Sequence, residues 1–242
     1  QCLNEFRVLN LIFNHIQILI IFSITVFSAL LAGLFALLSP KLSFWIAKNC
    51  WARSICFVSR CQIVAEGLNE LKNLNESAIF CSNHLSSFDI IAMYMSLDRP
   101  IFFIAKKEIK QIPFLGWYMS VAGMIFLDRS NHENAMRSMR NAGNEIKKGK
   151  NIISFPEGTR SKTNQIGQFK RGSFIIAKEG KIPIVPVAIK GSNQINPSGT
   201  LTIRKGIIKT KIGKPIYHKD EETTESFANR TRKEVELMVN SL

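Results

Sequence analysis

Cysteine is sparse in this chain. Its 242 residues hold five, at positions 2, 50, 56, 61 and 81, and no C-x-x-C pair. An odd count without that spacing argues against a disulfide framework and against a zinc site. A reduced, cytosol-facing compartment is expected. Acid is also short: 18 Asp and Glu face 32 Lys and Arg, a formal net charge of +14. There is no G-x-S-x-G nucleophile elbow, no internal repeat and no low-complexity tract. Histidine occurs four times, which narrows any search for a general base.

What is present begins with apolar residues, 46% of the chain. That excludes a disordered protein. A strongly basic balance with a mean hydropathy of +0.06 is unusual for a soluble nucleic-acid binder. It suits a protein held at an anionic surface, either a membrane or a phosphorylated substrate. The length favours one domain with a small appendage.

The appendage is N-terminal. Residues 18–38 (ILIIFSITVFSALLAGLFALL) carry no charge, and about 20 apolar residues suffice to cross a bilayer. A signal peptide is not expected, because the apolar stretch is too long and Glu5 and Arg7 make a weak leader. Ser39-Pro40 ends the first helix. Residues 41–60 read as a second, amphipathic helix with Trp45 and Trp51 at interfacial positions. Lys41, Lys48, Arg53 and Arg60 follow the apolar run with no acid before Glu66, which places that side in the cytoplasm. A full span and a hairpin in one leaflet both fit this pattern.

From about Cys61 strands and helices alternate. Strands are expected at 78–82, 101–105, 124–127, 152–155 and 184–189, with one or two more in 201–213. Helices are expected at 87–97 and 114–122. Another follows the S-x-x-E capping box at 130–133, and the last covers 225–241, capped by Thr224. Such alternation predicts an α/β fold with a mostly parallel central sheet flanked by helices. The expected division is a two-helix membrane anchor over residues 1–60 and an α/β domain over 61–242.

In such sheets ligands gather beyond the carboxyl ends of the strands. Asn83, His84 and Asp89 follow the first expected strand, Lys106 and Lys107 the second, Asp128 and Arg129 the third. Pro156, Glu157, Gly158, Thr159 and Arg160 follow the fourth. One imidazole, several acids and several cations therefore share one rim. His84 and Asp89 would stand about 140° apart on a regular helix. They can pair only if His84 lies in the turn before the helix, where Asp89 would fix the imidazole tautomer and support its cation. A helix-capping His–Asp pair without catalytic use is the alternative. Arginine binds phosphate in bidentate fashion, and Gly158 lets the backbone approach a ligand. Glu157 fits either that turn or a salt bridge to one of the arginines. Cys81 lies within a strand and reads as core. Ser86 and Ser87 read as helix caps. Direct attack by a substrate hydroxyl is therefore favoured over a covalent intermediate.

These residues resemble the blocks of the glycerolipid acyltransferases. Residues 83–89 (NHLSSFD) are similar to N-H-x-x-x-x-D, and 123–129 (GMIFLDR) to G-x-x-F-[IL]-x-R. Residues 155–161 (FPEGTRS) match the third block, and 184–189 (IVPVAI) resemble the fourth. The run from Ala105 to Arg129 looks most like the bacterial 1-acylglycerol-3-phosphate acyltransferases. The resemblance covers about residues 60–215.

It implies an enzyme that moves a fatty acyl group from acyl-CoA or acyl-carrier protein to the free hydroxyl of lysophosphatidate, giving phosphatidate in phospholipid biosynthesis. His84 would be the base and Asp89 its orienting partner. Arg129, Glu157, Gly158, Thr159 and Arg160, with Lys106, would bind the substrate phosphate. Pro186 would help shape the thioester side. The amides of residues 86–88 are candidate oxyanion donors.

No cofactor and no metal is implied. The expected partners are lysophosphatidate, the acyl donor and anionic membrane lipids, with no nucleic acid. The resemblance favours a one-leaflet hairpin at the inner (cytoplasmic) membrane, with the catalytic domain facing the cytoplasm. Alternatives are a relative acting on another lysophospholipid or on glycerol 3-phosphate, and a catalytically silent basic membrane-binding protein.

Overall fold

The computed structural model describes residues 2–128, 130, 132–163 and 165–242, with the backbone alone for residues 2–10 and 132. The apolar N-terminal run forms one helix, α1 (Cys2–Ala36). At 1.5 Å per residue it is about 52 Å long. Its stretch from Leu11 to Ala36 is long and apolar enough to cross a membrane. Pro40 has no N–H to continue a ladder, so it ends the connection and opens α2 (Pro40–Ile46). A π-helical segment, Ala47–Ala52, carries the chain into α3 (Arg53–Val58). The helix expected over residues 41–60 is thus present as one rod with an expanded middle turn.

Among the described residues seven strands follow: β1 (Cys61–Glu66), β2 (Ile79–Ser82), β3 (Ile101–Lys106), β4 (Ile125–Leu127), β5 (Asn151–Ser154), β6 (Ile184–Lys190) and β7 (Gly206–Ile212). They form one sheet in the order β1-β7-β6-β2-β5-β3-β4. Every neighbouring pair is parallel except β6 and β7. The connecting helices are α4 (Phe88–Ser96), α5 (Leu115–Val121), α6 (His132–Lys147), α7 (Gly172–Gly180), α8 (Ser192–Ile195) and α9 (Thr224–Ser241). The middle of the sheet is shielded on both faces, so β2 and β6 are fully buried apart from Lys190. This is why both read as unbroken apolar runs.

Three of these elements were not expected: β1, α7 and the four-residue α8. Strand β1 (CQIVAE) pairs with β7 and is mostly open to solvent, so it lacks the apolar run of a buried strand. Helix α7 is short and begins and ends on glycine. The cap of α9 also differs. Thr223, not Thr224, has the extended backbone of a cap and accepts from the Ser226 N–H.

Several of the basic residues have a local task. Lys190, Lys209 and Lys211 donate to Val239 O, Leu242 O and Ser241 Oγ at 3.3, 2.7 and 2.9 Å. Three cations thus meet the negative, carbonyl-bearing end of α9.

The α1 helix is fastened along the body. Asn14 donates to Leu201 O at 3.2 Å and accepts the Ile203 N–H at 2.9 Å. Gln17 donates to Val58 O at 2.8 Å. Gly33 allows a close approach: a Cβ there would lie 2.3 Å from the Trp117 indole, which would have to shift. The helix is therefore held against α5 at one end and the 200–204 loop at the other, over about 28 Å. Its outward face stays bare, with Leu19, Phe22, Phe27 and Leu34 each more than half exposed.

Candidate active site

Register assembles the site. Strands β2 and β5 are adjacent and parallel, with Cys81 opposite Ser154. Three residues further, past the ends of both strands, His84 comes level with Glu157. On the other flank Ser82 lies opposite Val187 of β6, which brings Asn83 beside Ile189. Asn83 uses both ends of its amide there, donating to Ile189 O and accepting the Ile189 N–H, each at 2.9 Å. This buried clamp closes the gap where the strand order reverses, the usual place for a ligand in such sheets.

His84 leaves the strand and Asp89 lies in the first turn of α4. The intervening turn folds back, so Asp89 Oδ2 accepts from His84 Nδ1 at 2.7 Å. The same oxygen accepts the Leu85 and Ser86 N–H groups at 2.7 and 2.8 Å. Asp89 is fully buried, whereas the His84 side chain keeps 17% of its surface exposed. A Nδ1–H donated to the carboxylate leaves Nε2 as the free, basic nitrogen. His84 is thus placed in the turn before the helix, the one geometry that permits the pair.

Three further contacts fix His84. Its ring stacks on Phe155, with centroids 4.2 Å apart and planes at 16°. Its N–H is accepted by Glu157 Oε1 at 2.8 Å. Its C=O accepts the Ser161 N–H at 2.8 Å. Neither Phe155 nor Ser161 stood out as a partner of His84 in the sequence. The adjacency of β2 and β5 brings Phe155 to it, and Ser161 reaches it from the loop that follows.

Gly158 adopts φ 75°, a backbone region costly for any other residue. Thr159 and Arg160 follow it, both exposed on the rim. Arg160 Nη1 donates to Ser87 Oγ at 2.8 Å, which ties the loop to the start of α4. Glu157 does not pair with either arginine through any described contact. Its second oxygen, Oε2, accepts the Gly167 N–H at 2.8 Å. Burial raises its pKa, against the pull of the Gly167 and His84 N–H groups.

Lys106 is exposed at the end of β3. Lys107 is bound to Asp128 at 2.8 Å, and this cation holds the Asp128 carboxyl well below its ordinary range. Arg129 lies outside the described residues. The amides considered for an oxyanion are partly engaged: the Ser86 N–H goes to Asp89 and the Phe88 N–H to Ser86 Oγ. Cys81 is fully buried, and burial pushes its thiol up, so it is protonated and shielded from substrate. A cavity of about 270 Å³ lined by Gly123, Asn141, Glu145 and Lys150 lies at the opposite end of β4 and involves none of these groups. Among the described residues no cluster of three or more His, Cys, Asp or Glu could hold a metal ion.

A basic imidazole backed by a buried carboxylate, beside a glycine turn carrying arginine, can deprotonate a hydroxyl on a phosphorylated molecule. A family model described as Acyltransferase matches residues 62–190. The chain is similar to a chloroplastic 1-acyl-sn-glycerol-3-phosphate acyltransferase of Arabidopsis thaliana, at 36% identity over 73% of this chain and 49% of that protein. It is similar to the 1-acyl-sn-glycerol-3-phosphate acyltransferase of Pseudomonas aeruginosa at 28% identity, covering 74% of this chain and 69% of that one. Among solved structures, the 1-acyl-sn-glycerophosphate (LPA) acyltransferase of Thermotoga maritima superposes with a TM-score of 0.82 at 25% identity. That match covers 97% of this chain and 96% of that one. The chain spans about half the length of the plant relatives it matches. Its motif-bearing core is covered by the family model from β1 to the end of β6, and the chain belongs to the acyltransferase family.

Proposed function

We propose that the protein transfers a fatty acyl group from acyl-CoA or acyl-carrier protein to the free hydroxyl of 1-acylglycerol 3-phosphate, forming phosphatidate. The observation that carries this reading is the 2.7 Å contact from His84 Nδ1 to Asp89 Oδ2, with the Gly158–Arg160 turn docked on the same residues. Relatives named for this activity support the choice of acceptor.

In this mechanism Nε2 of His84 takes the proton from the acceptor hydroxyl as the oxygen attacks the thioester carbon. Asp89 supports the imidazolium that forms. The tetrahedral intermediate collapses and expels the thiolate, which recovers the proton from His84. A thioester is already activated, so no covalent enzyme intermediate is needed. Arg160, with Thr159 and the Gly158 backbone, holds the glycerol phosphate. Lys106 and Arg129 are assigned to the same rim. Pro186 of the fourth block is assigned to the thioester side.

The domain division follows: residues 1–60 anchor and residues 61–242 catalyse. The helix α1 is held lengthwise against the body at Asn14 and Gly33. That favours a helix pair lying in one leaflet of the inner membrane, its bare face in lipid and the α/β domain in the cytoplasm. Lys41, Arg53 and Arg60 are the cations assigned to anionic headgroups. Lys48 is withdrawn from that set, because its Nζ donates to Leu97 O at 2.6 Å.

The test is a turnover assay of purified protein. Lysophosphatidate competes with other lysophospholipids and with glycerol 3-phosphate, each with acyl-CoA and acyl-carrier-protein donors. Preferential acylation of lysophosphatidate is expected. Preference for another acceptor would replace the substrate and keep the chemistry. No acyl transfer to any acceptor would leave a silent membrane-binding protein.

A further inference from the structure

Glu157 stands in the block that the family resemblance assigns to phosphate binding. Its geometry gives it other work. Both carboxylate oxygens are engaged by backbone donors, Oε1 by the His84 N–H and Oε2 by the Gly167 N–H, each at 2.8 Å. The span from β2 to the far end of the 157–167 loop is therefore closed by one side chain. A phosphate carries negative charge, and a carboxylate beside it repels rather than binds.

We infer that Glu157 is a positioning residue: it brackets the backbone of His84 to the loop that carries Arg160, and so fixes the base relative to the acceptor's phosphate. The bracket complements the other restraints. Asp89 orients the His84 ring through Nδ1. Phe155 limits its tilt. The Ser161 N–H holds its C=O at 2.8 Å. Glu157 and Ser161 thus grip the peptide groups on both sides of His84 from one loop. That loop is itself tied to α4 through the Arg160–Ser87 bond. The hydroxyl to be acylated stands a fixed distance from the acceptor's phosphate. A base bracketed to the loop that carries an anion-binding arginine would match that distance, and small displacements of either cost rate steeply. Burial raises the Glu157 pKa, so keeping it ionised costs folding free energy, as is common for groups kept for function.

This inference rests on His84 acting as the base of acyl transfer, and its test separates the two. Wild-type protein is first assayed with lysophosphatidate and with the competing acceptors. Glu157→Gln is then compared with wild type on whichever acceptor is used. The amide keeps the shape but offers one acceptor oxygen for two N–H donors. We expect kcat to fall about 10–100-fold, with the acceptor KM changed less than about threefold and lysophosphatidate binding to donor-free protein retained. Arg160→Ala in parallel should raise KM instead.

An unchanged kcat with a changed KM, or a lowered KM from removing a charge near phosphate, would overturn the bracket and return Glu157 to the phosphate site. If Glu157→Gln does not fold, Glu157→Asp is read by the same ratio, since it keeps the charge but is one methylene short of both donors. A wild type that acylates nothing refutes the acyltransferase reading itself.

Discussion

Replacing Asp89 by asparagine tests the base most directly, and its magnitude follows from the contacts. In the ground state Asp89 Oδ2 collects three N–H donors, from His84, Leu85 and Ser86. In the proposed mechanism His84 gains a proton during attack and becomes a cation beside it. With charge centres ~4 Å apart and an effective dielectric of ~20, that pairing is worth about 4 kcal/mol. Its loss corresponds to about 10³-fold in kcat.

Asparagine has two orientations and neither restores the charge. With its oxygen toward the three donors, its NH₂ occupies the place of Oδ1, which is buried with no partner among the described residues. A buried unsatisfied donor costs about 1–3 kcal/mol. With its NH₂ toward the donors, four donors confront one another. Some loss of stability is thus expected together with the kinetic loss. The assay is release of free CoA thiol from acyl-CoA on addition of lysophosphatidate, at saturating acceptor. Circular dichroism and a melting curve report that the variant is folded. A folded Asp89→Asn enzyme within about tenfold of wild-type kcat would refute His84–Asp89 as the catalytic pair.

Arg160→Ala should raise the acceptor KM about tenfold or more with a smaller change in kcat, since it removes a bidentate phosphate donor; steady-state kinetics over acceptor concentration decide this. Asn83→Ala should cost about 2–4 kcal/mol in denaturant unfolding, because it strands the buried N–H and C=O of Ile189. Glu222 receives a bidentate bond from Arg230 at 2.9 and 2.7 Å, and this guanidinium is the main cause of its lowered pKa. A depressed carboxylate contributes stability above its unfolded pKa and loses it as pH falls through the folded value. Arg230→Met should therefore lower the unfolding midpoint at neutral pH, with a gap that narrows in acid. A gap constant from pH 7 to pH 3 would count against the pairing.

The legible parts of the fold were those with a one-dimensional signature. Buried strands such as β2 and β6 sit between two covered faces and are read from unbroken apolar runs. Helix α6 was announced by its capping sequence, and α1 by sheer length. Strand β1 is an edge strand, so only its pairing with β7 defines it, and pairing partners far apart in sequence leave no local trace. The antiparallel pairing of β6 with β7 is invisible for the same reason. The π-helical turn at Ala47–Ala52 packs against α1 and α4, and such long-range packing leaves no local trace.

The site divides along the same line. His84 and Asp89 are five residues apart, so stereochemistry alone limited them to a turn, and their pairing could be reasoned from spacing. Glu157 belongs to a different class. Its neighbours are 73 and 10 residues away, at His84 and Gly167. A glutamate next to an arginine in sequence invites a salt bridge or a shared ligand. Residues leaving adjacent parallel strands at equal height meet one another instead, here the Glu157 carboxylate and the His84 N–H. Motif blocks group residues by sequence proximity, whereas a β-sheet groups them by register. The acid of the third block therefore serves the histidine of the first. Arg160, three residues along the same loop, is exposed, and Ser87 at the start of α4 tethers it. A loop bonded at Glu157, Arg160 and Ser161 to the turn between β2 and α4 moves as one piece with the base. Loosening the Glu157 or the Ser161 bond should therefore lower kcat, even where phosphate is still bound.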